Sequence, residues 1–584
     1  MNKVTRFIVL CLVLLLTMSL GLGVVTAQDE SVLVIGFEQE PPNLWPLNNL
    51  VFGGLPESFY ARDLWDWDEN REIFPILAAE VPSIEAGSVV TTEEGDTAVT
   101  VTLREGLQWS DGTPITSADC EVWHTIRSDT TTSDQVGRGT YPDSVKSFEI
   151  VDDLTFTITY NGAFPDFLAA NEKPECRYPA HVFGPMIADG GKLEESTYFT
   201  TGATVAYGPY ALTEWNIGQN MVLTRNEFWQ GEEPAWDRVI IQFITDDTQM
   251  RNSLEVGDID MAFNWSDDLN SVYAAIDGVE TFAAPGVFAD ALWIRSGEIG
   301  NSPDRGGEAL MNSDVRQAIA HAIPRRLFAE LLVGPGIEVP TSWYPPALWP
   351  EDLGFLEYDI AGARALLDGA GWMDDDGDEP AADAISPEEG CAETTPRVNA
   401  EGIALDNLRF VTTENTLRNN YQLVIQTALN CVGISTDIAI IPATTLFAAF
   451  PDRGTLTNSE FELAIFANSA NALAPTGDAS SYQCSGIPSA DNPDGFNGWQ
   501  FCNERYDEVD NLINSTLPGP ERDALIAEAV TLKWEGHFWH GLRLRATWFA
   551  VDSTTIDTAS VQANVGTLAS NWFNQVEFWE PAGM

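Results

Sequence analysis

The groups that could do chemistry in this 584-residue chain are unevenly supplied: 88 acids, 29 Lys and Arg, 7 Cys and 5 His. Hydrolysis and phosphoryl transfer need particular spacings, and G-x-S-x-G, H-E-x-x-H and a Walker loop are all missing from the sequence. His537 and His540 stand three apart in an aromatic stretch, HFWH, sharing a helical or loop face; they read as packed structural histidines rather than metal ligands. Asp374, Asp376 and Asp378 have the D-x-D-x-D spacing that opens a calcium loop. Gly377, however, falls between the second and third acids, and Ile385 stands where that loop needs a final Glu. A solvated acidic loop is the better reading, with a weak Ca²⁺ site as the alternative, and no cofactor is expected. What remains is binding chemistry. A cleft needs apolar and aromatic walls and a few oriented polar groups, and 19 Trp supply the walls. Just past strand ends, where α/β clefts bind, stand Glu38, Gln39 and Trp45, then Asn264 and Trp265, then Trp293 and Arg295. Glu38 and Asp478 are the candidates for a cationic group on a ligand, because either carboxylate buried alone would be costly.

The elements that must position these residues alternate between strand and helix patterns. Strands are expected at 31–37, 98–103, 221–225, 239–244, 258–263 and 435–441, with a short run at 291–294. Residues 148–160 read as a hairpin turning at Asp152-Asp153. Thr116, with Asp119 three residues on, is a plausible cap for a helix through Trp123 and Ile126. Further helices are expected at 246–256, stopped by Gly257, and at 313–322, 360–367, 419–432 and 521–534, with Gly433 capping the fourth of these five. The class is therefore α/β with parallel and mixed sheets. Residues 374–395, acidic and rich in Pro, Gly and Ala, read as a surface loop.

Residues 1–27 read as an address. Lys3 and Arg6 precede an apolar run from Phe7 to Val25, and Val25-Thr26-Ala27 offers small residues for cleavage. A retained N-terminal anchor is the alternative. Cys11 lies too early in the run to be a lipid-attachment site, which leaves six cysteines, an even set suited to an exported protein. Sequence neighbours are the simplest pairing: Cys120–Cys176, Cys391–Cys431 and Cys484–Cys502. No C-x-x-C pair is present for a thiolate metal site. The formal charge is −59, near −61 without Lys3 and Arg6, which leaves 27 bases against 88 acids. Nucleic acid and anionic membrane need basic surfaces and are excluded as partners. The acids are spread along the chain, as on a solvated acidic surface.

Several stretches carry a resemblance. Leu103-Arg104-Glu105-Gly106-Leu107 runs on through Trp109-Ser110-Asp111-Gly112-Thr113-Pro114 to Asp119. Gly208-Pro209-Tyr210 is followed by Gly218 and by Arg225-Asn226-Glu227-Phe228-Trp229. Leu254 to Asp260, Asp314 to Ile323, and Ala363 to Leu367 with Ala370-Gly371-Trp372 come next, then Phe496 to Trp499 and Arg505-Tyr506-Asp507. In this order, over about residues 70–510, they resemble the family 5 extracellular solute-binding proteins, which include dipeptide-, oligopeptide- and nickel-binding receptors. The resemblance implies a two-lobed type II periplasmic-binding-protein fold with an extra domain, a ligand enclosed between lobes, and delivery to the membrane permease of an ABC importer. It implies lobe I at 28–64, 205–295 and 545–584, the extra domain at 65–204 and lobe III at 296–544. Gly208-Pro209-Tyr210 is expected near the crossing between lobes, as a hinge. At 461–482 peptide-binding members usually carry a Trp and an Asp-rich turn whose carboxylate holds the ligand's amino terminus. Here Asn468, Asn471 and Asp478 occupy the region. The expected ligand is thus a peptide or a similar oligomeric or cationic solute, the protein a monomer, and its place extracytoplasmic after cleavage near Ala27. A secreted hydrolase, or a sensor using the same fold without transport, is the alternative.

Overall fold

The computed structural model describes residues 30–583 apart from 42–43, 45–50, 68–72, 139, 169–172, 200–203, 264–269, 299–302, 335–336, 345–347, 351–352, 393, 470–478, 494, 566–572 and 574. The first strand, β1 (Val32–Phe37), buries Leu33, Ile35 and Phe37 on one face. Gly36 leaves room on the other, where an added Cβ would strike the Met250 sulfur. The chain then leaves for a separate unit. It forms a small pair, β2 (Trp65–Trp67) and β3 (Ile73–Pro75), then β4 (Val89–Thr91) and β5 (Thr97–Thr102). Helix α1 (Ser117–Ser128) follows, its start tied by the Thr116 N–H donating to the Asp119 carboxylate at 2.7 Å. The hairpin β6 (Val145–Asp152) and β7 (Thr155–Tyr160) completes an antiparallel sheet in the order β4-β5-β7-β6. Alternating Val99, Val101, Phe156 and Ile158 fill its core.

The return passes through the antiparallel strands β8 (Tyr210–Asn216), β9 (Asn220–Arg225) and β10 (Arg238–Phe243). Helix α2 (Asp247–Val256) is capped by Asp246, whose side chain accepts the Gln249 N–H, and is ended by Gly257 at φ 80°. Then come β11 (Met261–Phe263) and the 16-residue β12 (Val279–Ile294). The short run expected at 291–294 is only the tail of this long strand. Helices α3 (Ser313–Ala322) and α4 (Ile360–Gly369) pack beside β13 (Leu408–Thr412), α5 (Thr416–Asn430), β14 (Thr436–Ile440) and β15 (Leu463–Ser469). Helix α6 (Pro520–Glu535) leads to the 14-residue β16 (Trp539–Asp552). His540, expected on a helical or loop face, lies in this strand instead, because the Arg and apolar residues after it alternate with the period of a strand.

One ten-stranded sheet results, ordered β14-β13-β15-β12-β16-β11-β1-β10-β9-β8. It is two half-sheets. In one, β1 runs parallel to β10 and β11; in the other, β13 runs parallel to β14 and β15. The antiparallel pair β12 and β16 passes through both. Each half-sheet has its own cores, around Phe37, Phe263 and Phe549 on one side, and around Leu408, Ile425 and Ile465 on the other. The protein is therefore a two-lobed α/β protein with an additional β-rich unit. The three disulfides pair sequence neighbours as expected: Cys120–Cys176, Cys391–Cys431 and Cys484–Cys502.

Candidate functional site: the crossing between the half-sheets

Strand direction locates the site. The last residue of β15, Ser469, pairs with Phe288, and the last residue of β11, Phe263, pairs with Phe549. The carboxyl ends of both parallel sets thus converge where β12 and β16 pass from one half-sheet to the other. That is where an open α/β sheet offers a crevice. The ladder breaks there too: Pro285 pairs with Ala546, but the next pair is Ala289 with Leu544. Arg545 sits in the break, opposite residues 286–288. A second shift follows between Asp290 and Ala291.

Asp290 is the centre of this region. Its side chain is 3% exposed, and three guanidiniums reach it from two elements. Arg418, in the first turn of α5, donates from Nε to Oδ1 at 2.9 Å. Arg543 donates from Nε to Oδ2 at 3.1 Å. Arg545 approaches both oxygens at 3.4 and 3.5 Å and keeps 41% of its side chain exposed. Local sequence explains the positions. Arg543 and Arg545 are two apart on one strand and so share a face. Asn415 accepts the Arg418 N–H at 3.0 Å, which starts α5 and places that arginine on its first turn. A cation there opposes the helix dipole, and the Asp290 carboxylate offsets it. Burial alone would push the Asp290 carboxyl up; the fields of Arg545, Arg543 and Arg418 outweigh it and hold the group below the usual carboxylate range. Phe288, 39% exposed, and half-buried Asn468, paired with Ala289 across the ladder, stand beside the cluster.

The expected site residues fare differently. Glu38, half-buried, and Gln39, exposed, follow β1 at its carboxyl end, on the same side of the half-sheet as the crossing. Trp45, Asn264, Trp265, Asn471 and Asp478 lie outside the described residues. Trp293 and Arg295 are corrected. Trp293 is fully buried, its ring 4.6 Å from that of Phe466 and 4.3 Å from that of Trp499. Arg295 is 1% exposed, donating to Glu462 at 3.1 Å and to the Phe461 carbonyl at 2.8 Å. Trp293 lies near the carboxyl end of β12 and Arg295 just past it, about 10 and 17 Å beyond Asp290 at ~3.3 Å per residue. Strand-end logic failed for them because β12 runs antiparallel to its neighbours, so its carboxyl end points away from the crevice. Gly208-Pro209-Tyr210 opens β8 at the outer edge of the ten-stranded sheet, not at the crossing. Asn226 fastens it there, donating from Nδ2 to the Gly208 carbonyl at 2.9 Å and from its N–H to the Pro209 carbonyl at 3.0 Å.

Asp374, Asp376 and Asp378 do converge, with carboxylate oxygens within 4.8 Å of one another. Each also accepts a backbone N–H, from Gly377, Asp378 and Thr395 respectively. His537 and His540 are buried, and burial holds both neutral, with His537 pushed down to about 4. Missed altogether were Asp290, Arg418, Arg543 and Arg545. The R-x-R alternation at 543–545, in a chain with 29 basic residues, was the available signal. Nothing local marks Asp290, whose partners lie 128 and 253 residues away.

With this geometry in hand, comparison with known proteins identifies the family. The description "Bacterial extracellular solute-binding proteins, family 5 Middle" matches residues 72–488. The chain belongs to this family. Protein XP55 of Streptomyces lividans is 29% identical over 362 residues, which cover 59% of this chain and 58% of that protein. The oligopeptide-binding protein AppA of Bacillus subtilis is 25% identical over 356 residues, covering 56% of this chain and 60% of AppA. These alignments thus span about three fifths of the relatives' length. The structure of B. subtilis AppA in complex with a nonapeptide aligns over 95% of this chain and 99% of that one, with a TM-score of 0.58 at 18% identity. The two share a fold. Among the described residues no helix is long and apolar enough to cross a membrane.

Proposed function

We propose that this family 5 protein is the extracytoplasmic receptor of an ABC-type importer, closing two lobes around a peptide or similar small charged solute and passing it unchanged to the permease. The observation that carries the reading is the convergence of the carboxyl ends of both half-sheets on a crossing made by β12 and β16. The name of AppA as an oligopeptide-binding protein supports the peptide class. In this reading lobe I comprises 28–64, 205–295 and 545–584, the extra domain 65–204 and lobe III 296–544. The hinge is the register break at 285–289 and 544–546, since a broken ladder bends at less cost than a continuous one. The chain acts as a monomer after cleavage near Ala27, with Glu38 and Gln39 on the lobe I wall. The family's description as binding proteins favours the receptor over the hydrolase and sensor alternatives.

The test is native mass spectrometry of the purified chain, then identification of whatever it releases under denaturation. One small solute per chain is expected, recovered chemically intact. Adding it back at 100 times its dissociation constant should raise stability by about 2.7 kcal/mol, and small-angle scattering should show contraction. Steady conversion of the solute into product would overturn the reading.

A further inference from the structure

We propose that a cup at the carboxyl end of α5 is a second binding site, for a small amine carried on an aromatic or branched alkyl group. The site goes beyond the receptor reading and does not depend on it. Thr427, in the wall of the cup, follows Arg418 by nine residues on α5, which sets the cup about 14 Å along the helix from the crossing at ~1.5 Å per residue. The cup encloses about 100 Å³ between α5, the helix Arg325–Leu332 and the turn at 386–390. Phe328, Ile385 and Ala428 are buried and give it an apolar lining. An apolar cavity of roughly 150 Å³ takes up benzene, so this smaller cup, open at its mouth, suits one ring or a short branched chain.

The groups around the mouth favour a positive charge. Glu388 and Glu389 are exposed on the turn and line the cup. The turn is pinned at its base. The Gly390 N–H donates to the Ser386 carbonyl at 2.7 Å, the Glu389 N–H donates to Ser386 Oγ at 3.1 Å, and the next residue, Cys391, is tied to Cys431. Gly390, at φ 69°, lies so close on α5 that an added Cβ would strike Thr427 Cγ2 at 2.5 Å. The backbone that carries the two carboxylates is thus in place before a guest arrives, which lowers the cost of ordering it. The end of α5 adds the negative end of a helix dipole, and its last turn carries no basic residue to offset it. Phe328 and Tyr358 add aromatic rings, whose faces attract cations. Arg364 donates to the Cys431 carbonyl at 2.6 Å, but its charge is met by Glu379 at 2.8 Å. A neutral guest would gain apolar burial alone, and an anion would face two glutamates.

The competing account is a gap in packing that selects no guest. Probes of similar shape and different charge separate the two: 2-phenylethylammonium, 2-phenylethanol and 3-phenylpropionate. Each is titrated into the purified chain by calorimetry at low salt, and hydrogen exchange locates the contact. The cation should bind best and protect residues 385–390 and the end of α5. The alcohol should bind about threefold more weakly, the loss of weak exposed ion pairs, and the acid more weakly still. Glu388→Gln combined with Glu389→Gln should weaken the cation by a similar factor with an unchanged melting temperature, since both side chains are exposed. Added salt should do the same. Ala428→Leu should fill the cup and abolish binding; if that variant fails to fold, the paired glutamine variant decides. Equal binding of the three probes, no binding of the cation, undiminished binding by the paired glutamine variant, or protection confined to β12 and β16 would overturn the site. Each of these outcomes leaves the receptor reading standing.

Discussion

Glu57 shows how a single residue can bias the whole fold. It sits with Asp63 and Glu175 around Lys173 and Arg177, three acids to two cations. Arg177 reaches Glu57 at 3.5 Å and Glu175 at 3.1 Å. Burial pushes the Glu57 carboxyl up from 4.5 to about 7, with Arg177 pulling the other way. The sign follows. A folded value above the unfolded one means that folding takes up a proton, so the stabilisation is full below pH 4.5 and is lost as pH rises through 7. Urea unfolding at pH 5 and pH 7.5 should therefore give a stability difference that shrinks by about 2 kcal/mol in Glu57→Gln. An unchanged difference would remove Glu57 as its source. Asp290 runs the opposite way: its lowered carboxyl contributes stability at neutral pH that is lost only in acid. At this scale the sequence showed Arg543-x-Arg545 as an alternation, whereas the value of Asp290 depends on partners that only folding supplies.

Elements were legible where caps and periodicity agree. The helix 313–322 was expected with the bounds it has, and 246–256 differs from α2 by its cap, Asp246. Gly257 ends α2 at φ 80°, and a Cβ there would meet nothing within 4 Å. Gly257→Ala should thus cost about 1 kcal/mol through backbone strain alone, read as a lower denaturation midpoint with the slope unchanged. The strands that join the lobes were read poorly. Pro285 and Gly286 fall inside β12, and His540 and Gly541 follow Trp539 at the start of β16, so both look broken to a local pattern. Pairing with strand residues about 250 positions away overrides that weak propensity.

For the whole molecule, the disulfides close loops of 56, 40 and 18 residues inside separate parts of the fold. Cys120–Cys176 fastens α1 within the β4–β7 unit, while Cys391–Cys431 ties the acidic loop to the end of α5. By loop-closure entropy each contributes about 3 to 4 kcal/mol. Reduction should lower the melting temperature by several degrees. Alkylation of the unfolded, unreduced chain expressed from residue 28 onward should label no cysteine, and alkylation after reduction should label six. Any label before reduction would break the pairing.

By itself the sequence determined the α/β class, the family and most helices, and it offered neighbour pairing of the cysteines only as the simplest choice, which the structure then bore out. These rest on information held within a few turns of chain: a cap, a glycine stop, a run of alternating apolar residues, a motif. Only the tertiary structure decided that β12 and β16 carry the crossing, that Trp293 and Arg295 are core, and that three arginines gather on Asp290. The reason is strand direction. Whether a residue at a strand end faces the crevice depends on which neighbours that strand runs parallel to, and those neighbours lie hundreds of residues away.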